Sequence, residues 1–340
     1  MREDAKLLGA MAAARRAGRR VAVATVVRVR GSAYRREGTK MMIDDAGEQV
    51  CMISGGCLEQ EVGEVAQGVL AAGEPQLRAF DLDEDLVWGL GLGCGGSVDV
   101  LVEAFDERPA FGRWLEALER DEAAALATHL QSHARLFVGA GGERGGTLGN
   151  PGLDEAVAAA ALERLQESHP RPGTQEWGPA REPVFLDLRV PTPRLVLFGA
   201  GHDAIPLSRY ARELGFALTV VDARHAFVTE ERFPGATLVR SHPSGFAERL
   251  TLGARTAALV MNHHLGRDAE SLAFALASPA AYIGVLGPRD RYEGMLERLE
   301  GEGRLPKTGL ERVRNPVGLD LGAETPEEIA VSIVAELVAL

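Results

Sequence analysis

RLVLFGAGHDAIPLSRYARELGFALTVVDAR, Arg194 to Arg224, decides the fold. A short apolar run breaks at Gly199-x-Gly201-x-x-Ala204, a helical pattern follows, and a second apolar run ends on Asp222. Apolar runs of strand length bounded by glycine read as buried strands. In a strand–turn–helix unit the first glycine permits the tight turn. The second lets a pyrophosphate approach backbone N–H groups at the helix N-terminus, and the small Ala204 lets helix and strand pack closely. Asp222 follows Gly199 by 23 residues, where a carboxylate can reach ribose hydroxyls. His202 sits in the first turn, able to donate to a phosphate or simply to stay in solvent.

Working outward, further apolar strands follow at TAALVM and AAYIGVLG, and the last helix opens at TPEEIAVSIVAELVAL with Thr325 as N-cap, Pro326 at the first helical position and Glu328 completing a capping box. Strands alternating with helices predict a Rossmann-like, doubly wound parallel sheet. MNHHLGRD follows a strand, so His263, His264 and Asp268 fall at the C-terminal edge of that sheet, where ligands of α/β folds bind. No third spaced ligand supports a metal there. NAD(P) or another nucleotide is the expected ligand, and the alternative is a Rossmann shape without one.

The region from Ser168 to Arg194 holds six prolines and two glycines and reads as a connection carrying one short strand, PVFLDL. The expected domains are 1–190, including this linker, and 191–340. The N-terminal one carries a faint repeat: Lys40–Leu70 aligns without gaps on Arg135–Leu165, with Gly47/Gly142, Glu48/Glu143, Leu58/Leu153, Val62/Val157 and Leu70/Leu165 coinciding. Both copies read as strand, glycine turn, short strand, glycine-rich turn and helix. An α/β domain with two similar halves is expected.

The copies differ at one telling place. Ser54-Gly55-Gly56-Cys57 of the first faces Gly149-Asn-Pro-Gly152 of the second, so the turn itself does not require cysteine. Cys57 lies at the start of a helical pattern, where the dipole favours thiolate. Cys94 is flanked by Gly93 and Gly95, which let a ligand approach the backbone. Two readings stand: a soft-ligand or anion pocket formed by both loops, or glycines that set turn geometry with cysteine as a small filler. Cys51 reads as a core residue of an alternating strand. Arg28, Arg30, Arg35, Arg36 and Lys40 cluster around a glycine turn in an acidic protein, as phosphate binders or as a solvated hairpin face.

Composition narrows the function. The chain has 340 residues, 46% hydrophobic and 25% charged, an ordinary globular balance, with a net charge of −12 that provides no basic field for nucleic acid. No apolar run approaches the ~20 residues of a membrane span, and the start lacks a signal-peptide core. Three cysteines without a C-x-x-C exclude a disulfide framework or a four-cysteine zinc site. A cytoplasmic protein is expected.

GSAYRREGTKMMI, SGGCLEQEV, GLGCGG, FGAGH, VVDAR, AYIGVLG and GLDLGAETPEEIA, in this order, resemble the xanthine dehydrogenase accessory factor family, XdhC/CoxI, over nearly the whole chain. The family commonly has Thr-His where this chain has Asn262-His263, and Gly-Ser-Arg where it has Gly287-Pro288-Arg289. The resemblance implies an XdhC/CoxI domain followed by a Rossmann-like domain. It also implies a chaperone that binds molybdenum cofactor (molybdopterin) and delivers it to a molybdenum hydroxylase such as xanthine dehydrogenase. A soft thiolate suits the dithiolene and the metal–oxo/sulfido centre; glycine N–H groups and basic side chains suit the phosphate. The expected cofactor site is Ser54, Gly55, Gly56, Cys57, Gly93, Cys94 and Gly95, with Arg35 and Lys40 for the phosphate and molybdenum contacts at Cys57 and Cys94. Gly199, Gly201, His202, Asp222 and His263 form the expected nucleotide site. Expected partners are an apo molybdenum hydroxylase and a cysteine desulfurase, and the expected assembly is a homodimer. The rival is an NAD(P)-dependent oxidoreductase; against it, only His202 or His263 offers a proton donor beside the nucleotide motif.

Overall fold

The computed structural model describes residues 2–81, 96–105, 109–167 and 169–339. The chain divides into two compact units, Glu3–Pro191 and Thr192 onward. Among the described residues no helix is long and apolar enough to cross a membrane.

The first unit runs through one arrangement twice. Helix α1 (Arg2–Arg16) leads to β1 (Val21–Arg30), β2 (Lys40–Asp44), β3 (Gln49–Val50), α2 (Glu59–Ala72), β4 (Gln76–Asp81) and β5 (Ser97–Ala104). Helix α3 (Pro109–Glu119) then leads to β6 (Ala124–His129), β7 (Arg135–Gly139), β8 (Arg144–Thr147), α4 (Pro151–Leu165), β9 (Gly173–Trp177) and β10 (Glu182–Arg189). The sheets are ordered β3-β2-β1-β5-β4 and β8-β7-β6-β10-β9, the same topology in the same sequence of elements. The duplication read from Lys40–Leu70 and Arg135–Leu165 is therefore present. Gly47 and Gly142 coincide because both hairpin turns need positive φ there, 83° and 90°.

Alternation along the strands explains the layering. Ala22, Ala24 and Val26 of β1 pack with α2, whereas Val21 and Val23 pack with α1. In the second copy Ala125 and Ala127 pack with α4, and Ala124 and Leu126 with α3.

The faces turned away from α2 and α4 meet across a seam with buried charge. Thr25 lies opposite Lys40, as Thr128 lies opposite Arg135. Val23 lies opposite Glu103, as Leu126 lies opposite Asp187. Lys40 and Arg135 are thus equivalent positions, and so are Glu103 and Asp187. The ion pairs are exchanged between copies: Lys40 Nζ lies 2.7 Å from Asp187 Oδ2, and Arg135 pairs with Glu103. This reciprocity is the signature of a two-fold-like, self-complementary interface. Lys40 also lies over the Trp114 ring at 5.4 Å, and Arg135 over Phe111 at 5.0 Å.

The proline-rich stretch before the second unit departs from the sequence reading. It holds two strands, β9 and β10, and β10 pairs with β6 inside the second sheet. The prolines mark its turns and the start of a strand rather than a linker; Pro183 is the second residue of β10, which is paired on both sides.

The second unit is a six-stranded sheet. It comprises β11 (Arg194–Phe198), α5 (Ala204–Glu213), β12 (Ala217–Asp222), β13 (Thr237–Arg240), α6 (Phe246–Arg249), β14 (Thr256–Val260), α7 (Leu265–Leu276), β15 (Tyr282–Val285), α8 (Arg289–Gly301), β16 (Val313–Arg314) and α9 (Pro326–Ala339). Strand order is β13-β12-β11-β14-β15-β16, every pair parallel, with the reversal of order between β11 and β14. This is the Rossmann arrangement. Leu195 and Leu197 enter the core under α5 and α9, while Val196 and Phe198 enter the one under α7 and α8. Helix α9 opens on the expected capping box: Thr325 Oγ1 accepts from Glu328 N at 3.3 Å and Glu328 Oε2 accepts from Thr325 N at 3.0 Å.

Candidate functional site

The Cys57 loop joins β3 to α2. It is wound on two side chains, Ser54 and Glu59. Ser54 Oγ, buried, accepts from the N–H groups of Gly56, Cys57 and Leu58 at 3.2, 3.2 and 3.1 Å, and donates to the Glu59 carboxylate. Glu59 Oε1 accepts from Ile53 N at 3.1 Å and Ser54 N at 2.8 Å. Burial alone pushes the Glu59 carboxyl up; hydrogen bonds from Ser54 and Ile53 outweigh it and hold the group below the usual carboxylate range. The second copy builds its equivalent turn differently. Asp154, at the position of Glu59, accepts from Leu148 N at 2.7 Å, and Asn150 caps the helix. Helix α4 therefore starts at Pro151, whereas α2 starts only at Glu59, and Gly56, Cys57 and Leu58 remain in the loop.

Cys57 is half-buried against the core beneath α2. It lies just ahead of the helix, as the sequence suggested. Two corrections concern the phosphate-binding groups. The N–H groups of Gly56, Cys57 and Leu58 are turned onto Ser54, so the glycine loop does not offer them outward. Lys40 is committed to Asp187 and to Gly38 O, at 2.7 and 3.1 Å, and serves the seam between the copies. Cys51, read as a strand residue, instead follows β3 at φ 67° and is half-buried beside the α1 core.

The loop between β1 and β2 lies against the Cys57 loop. A Cβ at Gly55 would stand 3.7 Å from the Tyr34 ring, so that ring lies on the Gly55 backbone. Arg35 Nε donates to Met52 O at 3.3 Å, tying the same two loops together. Arg28 and Arg30 face Asp99, at 3.8 Å and, bidentately, 3.0 and 2.8 Å, while Arg35 and Arg36 directly follow Tyr34 in the chain. Gly93, Cys94 and Gly95 lie outside the described residues. Gly96 touches this turn: a Cβ there would fall 2.3 Å from Ser32 O. Tyr34 and Met52 are an aromatic and a thioether in polar, glycine-rich loops, a signal overlaid in the sequence by Arg35 and Arg36 beside Tyr34.

In the Rossmann unit the structure brings Gly199, Gly201, His263 and Asp222 to the C-terminal edge at the switch in strand order. Gly199, at φ 124°, leaves no room for a Cβ, which would meet Met261 O at 2.4 Å. The His263 ring lies against Gly201, and its Nε2 is 3.0 Å from Asp203 Oδ2. His202 is exposed.

Asp222 does not match its expected role. Its carboxylate is buried and accepts from Ala200 N at 2.9 Å, Arg224 N at 2.8 Å and the Arg224 guanidinium at 3.0 and 2.7 Å. Both oxygens are filled, so no acceptor faces a ribose diol. Arg224 in turn lies over the Phe227 ring at 4.1 Å, and Arg232 holds Ala200 O at 3.0 Å. Asp222 is a clamp on the glycine turn. Burial pushes its carboxyl up, but hydrogen bonds from Arg224 and Ala200 N outweigh this and hold it below the usual range. A depressed folded pKa stabilises above the unfolded value of about 3.9 and loses that contribution as pH falls through the lower folded value. Asp222→Asn is expected to cost about 1.5–3 kcal/mol near pH 7, tempered by the partial exposure of Arg224. The gap in Tm between variant and wild type should narrow from pH 5 to pH 2; a gap constant with pH refutes the clamp.

Comparison with known proteins follows the two units. Residues 14–81 match the family described as "XdhC and CoxI family", and residues 195–337 match "XdhC Rossmann domain". The chain is 32% identical over 326 residues to a probable xanthine dehydrogenase subunit of Bacillus subtilis (strain 168), covering 93% of this chain and 92% of that one. It is 20% identical over 321 residues to "Molybdenum cofactor insertion chaperone PaoD" of Escherichia coli (strain K12), covering 94% and 83%. A crystal structure described as a xanthine dehydrogenase from Bacillus halodurans superposes with a TM-score of 0.78 at 29% identity, over 98% of this chain and 94% of that chain.

Proposed function

The chain belongs to the XdhC and CoxI family, and we propose that it is a maturation chaperone that holds molybdenum cofactor at the Cys57 loop and hands it to an apo molybdenum hydroxylase of xanthine dehydrogenase type. The observation that carries this reading is the difference between the two copies. One scaffold forms the same turn twice, once with a plain capped helix and once with a thiol held in a loop of its own. A thiol-bearing loop that the fold does not need supports a binding role for it.

The residues fit such a cargo. Cys57 would supply a soft ligand for the dithiolene–metal end. Arg35 and Arg36 replace the glycine N–H groups and Lys40 as phosphate partners. Ser54 and Glu59 fix the loop from behind, so the thiol is presented without waiting for the ligand to order it. Cys94 is proposed as the second thiol of the same pocket. The relative named as a molybdenum cofactor insertion chaperone supports the reading at low identity over most of its length. The oxidoreductase alternative loses its ribose acceptor at Asp222.

The test is anaerobic purification from cells that make the cofactor, followed by gel filtration and measurement of molybdenum and pterin per chain. Near-stoichiometric amounts of both, and activation of an added apo-hydroxylase, are expected. A folded protein that carries neither overturns the proposal.

A further inference from the structure

We infer that Tyr34 is the platform on which the flat pyrimidine ring of the bound pterin stacks; this rests on the proposed function and names the part of the site that recognises the pterin. Tyr34 is 71% exposed, more than any other exposed large hydrophobic side chain among the described residues. Scattered exposed apolar side chains need no explanation. This one is not scattered. One face of its ring lies on Gly55, within the Ser54–Cys57 loop, which leaves the opposite face open. Met52, 49% exposed, belongs to the same pair of packed loops, which Arg35 ties together at Met52 O.

An aromatic ring backed by peptide and accompanied by a thioether and arginines accepts flat, electron-rich heterocycles by stacking, with little rotamer entropy to lose. Gly55 is two residues from Cys57, no more than about 7 Å along the chain. A ligand stacked on the open face lies one ring thickness beyond Gly55, so its sulfur end would reach past the ring edge to the thiol. The ring thus reads the organic part of the cargo and the cysteine its metal part.

The probe is a reduced pterin without dithiolene or metal, titrated against the purified full chain by equilibrium dialysis. Wild type and Tyr34→Phe are expected to bind it alike, and Tyr34→Ala at least about fivefold more weakly with an unchanged Tm. The cofactor retained through gel filtration should fall in the same order. Equal pterin binding by wild type and Tyr34→Ala overturns the inference. So does a Tyr34→Ala variant that keeps its cofactor but no longer captures the apo-hydroxylase, which makes Tyr34 a protein contact. In both cases a wild type that still carries cofactor leaves the chaperone reading standing, whereas a wild type without cofactor overturns that reading itself.

Discussion

Lys40→Met is expected to lower the stability of the Glu3–Pro191 unit by about 3–5 kcal/mol, because it removes the cation from a buried carboxylate. Lys40 and Asp187 side chains are only 11% and 10% exposed, and their atoms meet at 2.7 Å. The equivalent change, Arg135→Met, should cost a similar amount through Glu103. The double variant Lys40→Met/Asp187→Leu should recover most of the loss, since replacing both members of a buried pair by apolar groups is often near neutral. All three tryptophans fall in this unit, so denaturant unfolding followed by tryptophan fluorescence reports it separately. A single variant that loses less than about 1 kcal/mol would mean that Lys40 is solvated, and would return it to the pool of phosphate-binding groups.

The case of Lys40 shows where reading the sequence stops. Its position beside Arg35 and Arg36 suggested a basic cluster, and strand alternation alone does not say which sheet it meets. Its partner lies 147 residues away, on a strand that looked like part of a linker. Asp222 failed in the same manner: spacing placed it correctly at the end of β12, but its donors come from Arg224 and the glycine turn. What was legible was local or periodic. The Gly199 turn, the capping box at Thr325 and the alternating strands and helices of the second unit each follow from short-range rules. The duplication was legible because Gly47 and Gly142 obey the same backbone constraint. β9 was missed because GTQEW lacks an apolar alternation, and its pairing with β10 is what makes it a strand.

Cys57→Ala is expected to reduce cofactor retention to background, by about a hundredfold or more, with a change in Tm small enough to leave the fold intact. The small cost follows from the second copy, whose Gly152 holds the equivalent place without a thiol. Ser54→Ala separates ligation from presentation. It keeps the thiol but strips the acceptor from three N–H groups and from the Glu59 carboxylate its donor, a loss of about 1–3 kcal/mol. Retention should fall with it, since the loop no longer holds Cys57 in one place. Asn150→Ala is the matching change in the other copy, where the side chain caps α4 by accepting from Gly152 N at 2.9 Å. It should cost about 0.5–2 kcal/mol and leave retention untouched. Molybdenum and pterin measured per folded chain across the three variants distinguish the possibilities. If Asn150→Ala loses cofactor as Ser54→Ala does, retention merely tracks stability. If Cys57→Ala keeps it, the extra loop of the first copy serves another purpose. Loss confined to Cys57→Ala and Ser54→Ala ties the cargo to the one turn in which the duplicated scaffold departs from its own pattern.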